Sequence, residues 1–334
     1  MIEYVLPPLL GGVVAYLVTP SVIRLGRALG LVRVDVHKPY KHEVPNSGGL
    51  AIALSLAVSL AALAALRPGW IPQILVFAGA VFLSFAVGLV DDFKVLPGPL
   101  KTALTVVAAA PIFLGALVKP PVLVLGRPRV PVLGVLRLTV IYWLLLPLVV
   151  AGPANAVNML DIMNGIMPAT TLLAFVALAA SSALLGSELG LALSLVMAGV
   201  LAGYIPYNAY PARVFNGDSG SLSVGAAIGA LAVLTRLEFV AMVALFPHIL
   251  NAFLVVSSIR GLKEHRKLPF RPLVVHRDGT LSANTNPRAP LSLTRLMLLI
   301  GGPAKEEELF KAYVVLEAVA AGLAVLSALL TVRA

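Results

Sequence analysis

The chain has no cysteine among its 334 residues. That absence excludes disulfide frameworks and thiolate metal sites, and it removes redox chemistry as a guide to compartment. Charge is almost as scarce. Only 12% of residues are Asp, Glu, Lys or Arg, while 59% are hydrophobic; soluble domains run near ~25% charged and ~45–50% apolar. A water-soluble globule could not clothe itself with so little polar surface. Also missing are the alternating ~10-residue segments of a transmembrane β-barrel. No internal repeat of the kind that builds many transporters is visible either.

What is present is a series of long apolar runs. At 1.5 Å per residue, runs of about 20 residues match a hydrocarbon core ~30 Å thick. Ten can be marked, over 3–23, 48–66, 71–90, 102–118, 138–153, 166–185, 190–206, 221–235, 239–258 and 308–331. They predict an all-α integral membrane protein, a single polytopic domain over 1–334. The run Tyr4–Val18 has no basic stretch before it and is expected to be the first span, not a cleaved signal.

Sidedness follows from charge. The connections 24–47, 91–101, 154–165, 207–220 and 259–307, with the span ends beside them, hold 18 of the 25 Lys and Arg residues. By the positive-inside rule they face the cytoplasm, and both termini lie outside. The expected location is the plasma membrane. Positive-inside loops account for the net charge of +10, and no aromatic-interleaved basic stretch points to a nucleic-acid partner. On the outer side, "KPPVLVLGRPRVPVLGVLRL" reads as a small β-hairpin turning at Gly126-Arg127-Pro128. The segment 259–307 reads as one long cytoplasmic loop before the last helix.

Every cluster with chemical character falls on the cytoplasmic side. "GLVDDFKVLPGPLK" ends an apolar run with Asp91 and Asp92. Acids at a helix C-terminus meet the negative end of the dipole, where bases are the cheaper choice. The pair therefore points to a cation or to proton transfer, and Lys101 follows as a point charge for phosphate. "NAVNMLDIMNG" spaces Asn155, Asn158, Asp161 and Asn164 by three. On a helix that gathers four amide and carboxylate groups on one stripe, hard oxygen donors suited to Mg²⁺ and to nucleotide recognition. "VFNGDSGSL" offers Asp218 between two glycines, with Phe215 as an interface anchor or a stacking platform. "EHRKLPFR" adds His265, Arg266, Lys267 and Arg271. Carboxylates for a divalent cation, cations for phosphates and amides for a base imply metal-assisted phosphoryl transfer between a cytosolic nucleotide and a membrane lipid.

In this order the motifs "PNSGG", "GLVDDFKVLPGPLK", "NAVNMLDIMNG" and "GDSGSL", followed by a basic loop with a histidine, resemble the polyprenyl-phosphate N-acetylhexosamine-1-phosphate transferase superfamily over nearly the whole chain. "YPARVFNGDSGSL", "HRKLP" and "SANTNPRAPLSLTRL" look most like the dolichyl-phosphate GlcNAc-1-phosphate transferase branch. The histidine-rich loop of the phospho-MurNAc-pentapeptide translocases is missing, with only His265 in its place. The resemblance implies a ten-span helical fold, often a homodimer. It further implies transfer of GlcNAc-1-phosphate from a UDP-N-acetylhexosamine to a polyprenyl phosphate, dolichyl or undecaprenyl, with release of UMP.

Carried over by motif, Asp218 and Asn158 would ligate Mg²⁺, or Mn²⁺ in its stead. Lys101, His265 and Arg266 would hold phosphate oxygens, and Asn164 and Phe215 would bind and stack on uracil, with Asn155 and Asp161 completing the substrate-binding stripe. Asp91 and Asp92 would sit by the metal and the lipid phosphate, Asp91 orienting or deprotonating the latter. Three positions depart from the pattern: Glu264 replaces an arginine, Asn46 an acid and Ile162 a glycine. A transporter or flippase for an anionic metabolite is the competing reading. It needs a polar path through both leaflets, and the outer halves of the spans carry no paired charges.

Overall fold

The computed structural model describes residues 1–118, 122–123, 125–138, 140–259, 261 and 269–332. Thirteen α-helices are found among them: α1 (Leu6–Ala28), α2 (Gly48–Leu66), α3 (Ile71–Phe93), α4 (Gly98–Val107), α5 (Ala110–Leu117), α6 (Val140–Leu160), α7 (Ile166–Leu184), α8 (Glu188–Asn208), α9 (Gly217–Thr235), α10 (Glu238–Ala244), α11 (Phe246–Ile259), α12 (Leu293–Gly301) and α13 (Glu306–Val332). Among the described residues nine helical stretches are long and apolar enough to cross a membrane, α4 and α5 together forming one. The pair α10 and α11, bent by 71° at Leu245, passes the same test only when taken together, and brings the number to ten where it is counted as one span. The protein is an all-α multi-pass membrane protein.

Apolar side chains lie on both sides of these helices, as lipid requires. Leu75, Leu114, Leu144, Phe253 and Val315 are all more than 60% exposed, a belt that water would penalise and a bilayer would not. The inward faces are built from small residues. Helix α9 lies at the centre, buried along nearly its whole length and packed on α2, α3, α6, α7, α8 and α10. Helices approach closely in lipid when small residues let their backbones meet. At Gly225 a Cβ would stand 2.4 Å from the carbonyl oxygen of Pro153 on α6, and at Gly88 on α3 it would stand 2.3 Å from that of Asp218.

Four sequence expectations are corrected. Helix α6 runs to Leu160, so Asn155 and Asn158 are helical while Asp161 and Asn164 lie beyond its end; the four never form one helical stripe. "GDSG" is the first turn of α9, not the end of a loop. The outer hairpin exists, but its strands are β3 (Arg129–Val130) and β4 (Gly134–Val135), and it turns at 131–133. Gly126 does take a positive φ, 74°, but Leu123 ahead of it is buried in the core, and the strand pairing closes instead around Val132 and Gly134, at φ 65° and 72°. Finally, the segment before the last helix is not all loop. It holds a hairpin, β5 (Leu273–Val275) with β6 (Leu281–Ala283), and the amphipathic helix α12. A second hairpin, β1 (Val32–Val34) with β2 (Glu43–Pro45), joins α1 to α2.

The close contact at Gly88 makes a direct test of the central packing. Gly88→Ala forces α3 away from the first turn of α9, and overpacking of this kind costs about 1–3 kcal/mol. Thermal unfolding in detergent is expected to show a lower midpoint, against no comparable change for Gly69→Ala, where nothing lies within 4 Å of the added carbon.

Candidate active site

The connections that the charge count assigns to one face do converge. The end of α3, the end of α6, the start of α9, the β1–β2 hairpin and the starts of α7 and α13 meet around a cavity of about 460 Å³. Its assembly begins at the "PNSGG" turn. The first backbone N–H groups of α2 have no partner within their own helix. Those of Gly48 and Gly49 donate to the carbonyls of Phe215 (2.9 Å) and Asn216 (2.8 Å), and the Phe215 N–H donates to the Pro45 carbonyl (2.8 Å). The segment before α9 is thus stitched to α2.

Asp92 completes the join. Its Oδ1 accepts from the Asp218 N–H (2.8 Å) and from the Asn46 amide (2.9 Å), and its Oδ2 accepts from the Ser219 N–H (3.1 Å) and hydroxyl (2.6 Å). Two of the orphan donors at the start of α9 are capped by a carboxylate from another helix, where the dipole favours negative charge. The Asp92 carbonyl also accepts from Arg33 (2.8 Å). Gly217 makes room: its φ is +69°, and a Cβ there would fall 2.5 Å from Asp92 Oδ2. Asp92, which also lines the cavity, is turned onto the helix start, with both carboxylate oxygens taken up.

Asp91 points elsewhere. Its Oδ1 accepts from the Leu96 N–H (2.6 Å), and its Oδ2 lies 3.2 Å from Lys101 Nζ. Lys101 also donates to Asp218 Oδ1 (2.8 Å), which accepts in addition from the Asn158 amide (2.5 Å). Asn158 donates to Ser221 Oγ as well. Asp91, Lys101, Asn158 and Asp218, four residues from three separate motifs, form one contact group. Asn155 does not join it: its amide donates to Thr105 and to the Ala151 carbonyl, bracing α6 against α4 away from the cavity.

On the cavity's other wall Asn164 and Phe215 are present as expected. The Asn164 amide donates to Asp35 (3.2 Å) and its N–H to Glu306 (3.1 Å). Lys38 spans Asp35 and Glu306, at 3.6 and 2.5 Å. Burial disfavours its charge, but the hydrogen bond to Glu306 and the negative charges of Glu306 and Asp35 together hold the ammonium above its ordinary range. Burial pushes the Asp161 carboxyl up to about 7, against the opposing hydrogen bond from Asn216. Burial also pulls His37 down to about 4, so its ring is neutral at pH 7. His265 and Arg266 lie outside the described residues; Arg271 from the same basic cluster lines the cavity. Arg33, Asp35, His37 and Asn208 were not singled out from the sequence. They lie in or beside the connections 24–47 and 207–220 already assigned to this face, but only folding shows which of their side chains turn inward.

A divalent cation fits the donors present. Asp218 and Asp91 share a single lysine and Asn158 adds an amide, a hard-oxygen set of two carboxylates. Mg²⁺ characteristically takes one or two carboxylates and completes its shell with water and substrate phosphates. Among the described residues no group of three or more His, Asp or Glu side chains forms an all-protein metal cage.

A polytopic bundle with an acid- and amide-lined cavity at one end, and a lysine bonded to Asp218 on its wall, has the make-up of a membrane enzyme of the phosphoryl-transfer class. Comparison with known proteins agrees. The sequence model described as glycosyl transferase family 4 matches residues 74–236. A phospho-N-acetylmuramoyl-pentapeptide-transferase of Moorella thermoacetica is 31% identical over 312 residues, covering 90% of this chain and 97% of the relative. Its namesake in Shouchella clausii is 32% identical over 245 residues, covering 71% and 74%. The chain belongs to glycosyl transferase family 4. The superfamily resemblance read from the motifs is borne out, while these relatives carry a different substrate name from the branch expected from the motifs.

The two aspartates are separable by experiment. Asp92→Asn sets an amide donor against the Ser219 N–H, and a buried donor without an acceptor costs about 1–3 kcal/mol. Asp91→Asn keeps an oxygen for Leu96 and removes a charge next to Asp218. In ligand-free thermal unfolding Asp92→Asn is expected to lower the midpoint clearly and Asp91→Asn much less; equal losses would show that the cap is not what holds α9.

Proposed function

We propose that the protein transfers GlcNAc-1-phosphate, or a related N-acetylhexosamine-1-phosphate, from the UDP-sugar to a polyprenyl phosphate of the dolichyl type. In the reaction an oxygen of the lipid phosphate bonds to the sugar-bearing phosphorus, the diphosphate linkage breaks, and UMP leaves with the bridging oxygen. This would be the first membrane step in building a lipid-linked glycan, such as that of N-glycosylation. The observation that carries the reading is the Asp91–Lys101–Asp218–Asn158 group beside the cavity.

Mg²⁺ bound there would neutralise phosphate charge and polarise the bond that breaks. Asp218 and Asn158 are its proposed holders. Lys101, tethered between two carboxylates, is in place to turn toward diphosphate oxygens as they arrive. Asp91, its partner, is assigned to orient the lipid phosphate, which is already largely ionised near pH 7. Asn164 and Phe215 are assigned to the uracil, with Asp161 in the same wall. His265 and Arg266 are assigned to phosphate oxygens. Asp92 acts through α9, by fixing the backbone that presents Asp218.

The names of the relatives favour a second reading, transfer of phospho-MurNAc-pentapeptide to the same kind of lipid. Against it stands the basic cluster "EHRKLPFR", which holds a single histidine, His265. Purified protein incubated with Mg²⁺ and polyprenyl phosphate is expected to release UMP from UDP-GlcNAc and not from UDP-MurNAc-pentapeptide. The reverse preference would replace the first reading with the second, and no UMP from either would sink both. With the preferred donor, Asp218→Asn is expected to lower turnover at least about a hundred-fold, since a metal contact supplies several kcal/mol at the transition state. Near-normal turnover at saturating Mg²⁺ would remove Asp218 from the metal site.

The same reading puts the cavity on the cytoplasmic face and the termini outside, because the basic residues gather on the cavity side. The cysteine-free chain allows a clean check. Arg277 is exposed at the tip of the β5–β6 hairpin, and a cysteine placed there is expected to resist an impermeant thiol reagent in intact cells. Ready labelling from outside would put the cavity on the wrong side for a cytosolic nucleotide.

A further inference from the structure

Helix α11 departs at 71° from α10 and touches none of the reacting groups, yet it holds one of the elements that do. The last carbonyls of any helix lack partners within it. At the end of α6, the Asp161 N–H donates to the carbonyls of Val157 (3.1 Å) and Asn158 (3.3 Å), and the Ile162 N–H to that of Leu160 (2.9 Å). The Met159 carbonyl is satisfied from outside. Asn251 of α11, 1% exposed, donates its amide to it at 2.9 Å. The same side chain accepts through Oδ1 from the Leu293 N–H, at the start of α12, at 3.0 Å. One buried amide thus caps α6 at its C-terminal end and α12 at its N-terminal end. Met159, whose carbonyl it holds, is next in sequence to Asn158, whose amide contacts Asp218.

Helix α11 is itself secured one turn away, on the face shared by residues three apart. His248, fully buried, places Nε2 3.1 Å from the hydroxyl of Thr170 on α7 and Nδ1 3.4 Å from a carboxylate oxygen of Glu317 on α13. Polar side chains of this kind are expensive in a membrane-spanning bundle and are kept where they hold something in place. Through the Thr170 contact of His248 and the two hydrogen bonds of Asn251, α11 is a strut between α7 on one side and α6 and α12 on the other.

We propose that Asn251 is a positioning residue of the site, setting the end of α6 and so the placement of Asn158 against Asp218. The inference rests on the phosphoryl-transfer reading for its functional consequence, but not for its structural one. The variants are Asn251→Asp, which keeps the acceptor for Leu293 and loses the donor to Met159, and Asn251→Leu, which loses both. Hydrogen exchange is followed over peptides covering 155–164, and UMP release is measured against nucleotide-sugar concentration. Both variants are expected to speed exchange in 155–164 with little change in α9. They are also expected to lower kcat at least ten-fold with KM within about three-fold of the parent. A folded variant whose kcat stays within two-fold of the parent overturns the proposal, as does unchanged exchange in 155–164. If the parent itself releases no UMP from any UDP-hexosamine, the functional reading has failed, and the exchange result alone decides whether Asn251 sets the end of α6.

Discussion

A single buried carboxylate holds the working end of this molecule together. Asp92 projects from the last turn of α3 and accepts four hydrogen bonds, two of them from the opening backbone N–H groups of α9. Charge-assisted bonds are about twice as strong as neutral ones, and the helix dipole adds to them. Gly88, one turn earlier, brings α3 within backbone contact of the same turn. Asn46 carries the connection on to the β1–β2 hairpin and Arg33 reinforces it. Remove that carboxylate, and three separate pieces of chain lose their common reference.

The cap explains how two adjacent aspartates avoid competing for one role. Successive residues on a helix point about 100° apart. Asp92 turns to the helix start, and Asp91 turns to Lys101 and, through it, to Asp218. One acid is consumed by structure, and that frees the other for chemistry. Bringing Asp91 and Asp218 together in a partly buried place is costly unless something positive stands between them. Lys101 meets that need here, and the same requirement is what recommends the place to a divalent cation and to phosphates.

Much of the site was legible because the acids and amides stand out in so apolar a chain. Asp91, Lys101, Asn158 and Asp218 were all singled out by residue type and context, and they come together. Asn155 was misread because spacing by three says which face of a helix a residue shares, and not what that face meets; it meets Thr105 on α4. Asp35 and Asn208 were missed for the converse reason. Nothing in a short polar loop or at a helix end distinguishes an inward side chain from a solvated one until Asn164 and Gly165 arrive as partners.

The existence and number of the spans followed from sequence alone, because lipid leaves a backbone no option but a helix long enough to cross it. The charge asymmetry among the connections was equally plain, since it is a count along the chain. Where each helix stops was not. Helix α6 runs on to Leu160 because the Met159 carbonyl finds Asn251, 92 residues away in sequence, and α9 starts at Gly217 because Asp92 receives its first amides. Helix α12 and the β5–β6 hairpin were hidden in a segment too short and too mixed to register as spans; they form by packing on α11, α13 and each other. Hydropathy is a local property and was read locally. The ends of helices, and the cavity between them, are decided by hydrogen-bond partners that only the folded bundle brings within reach.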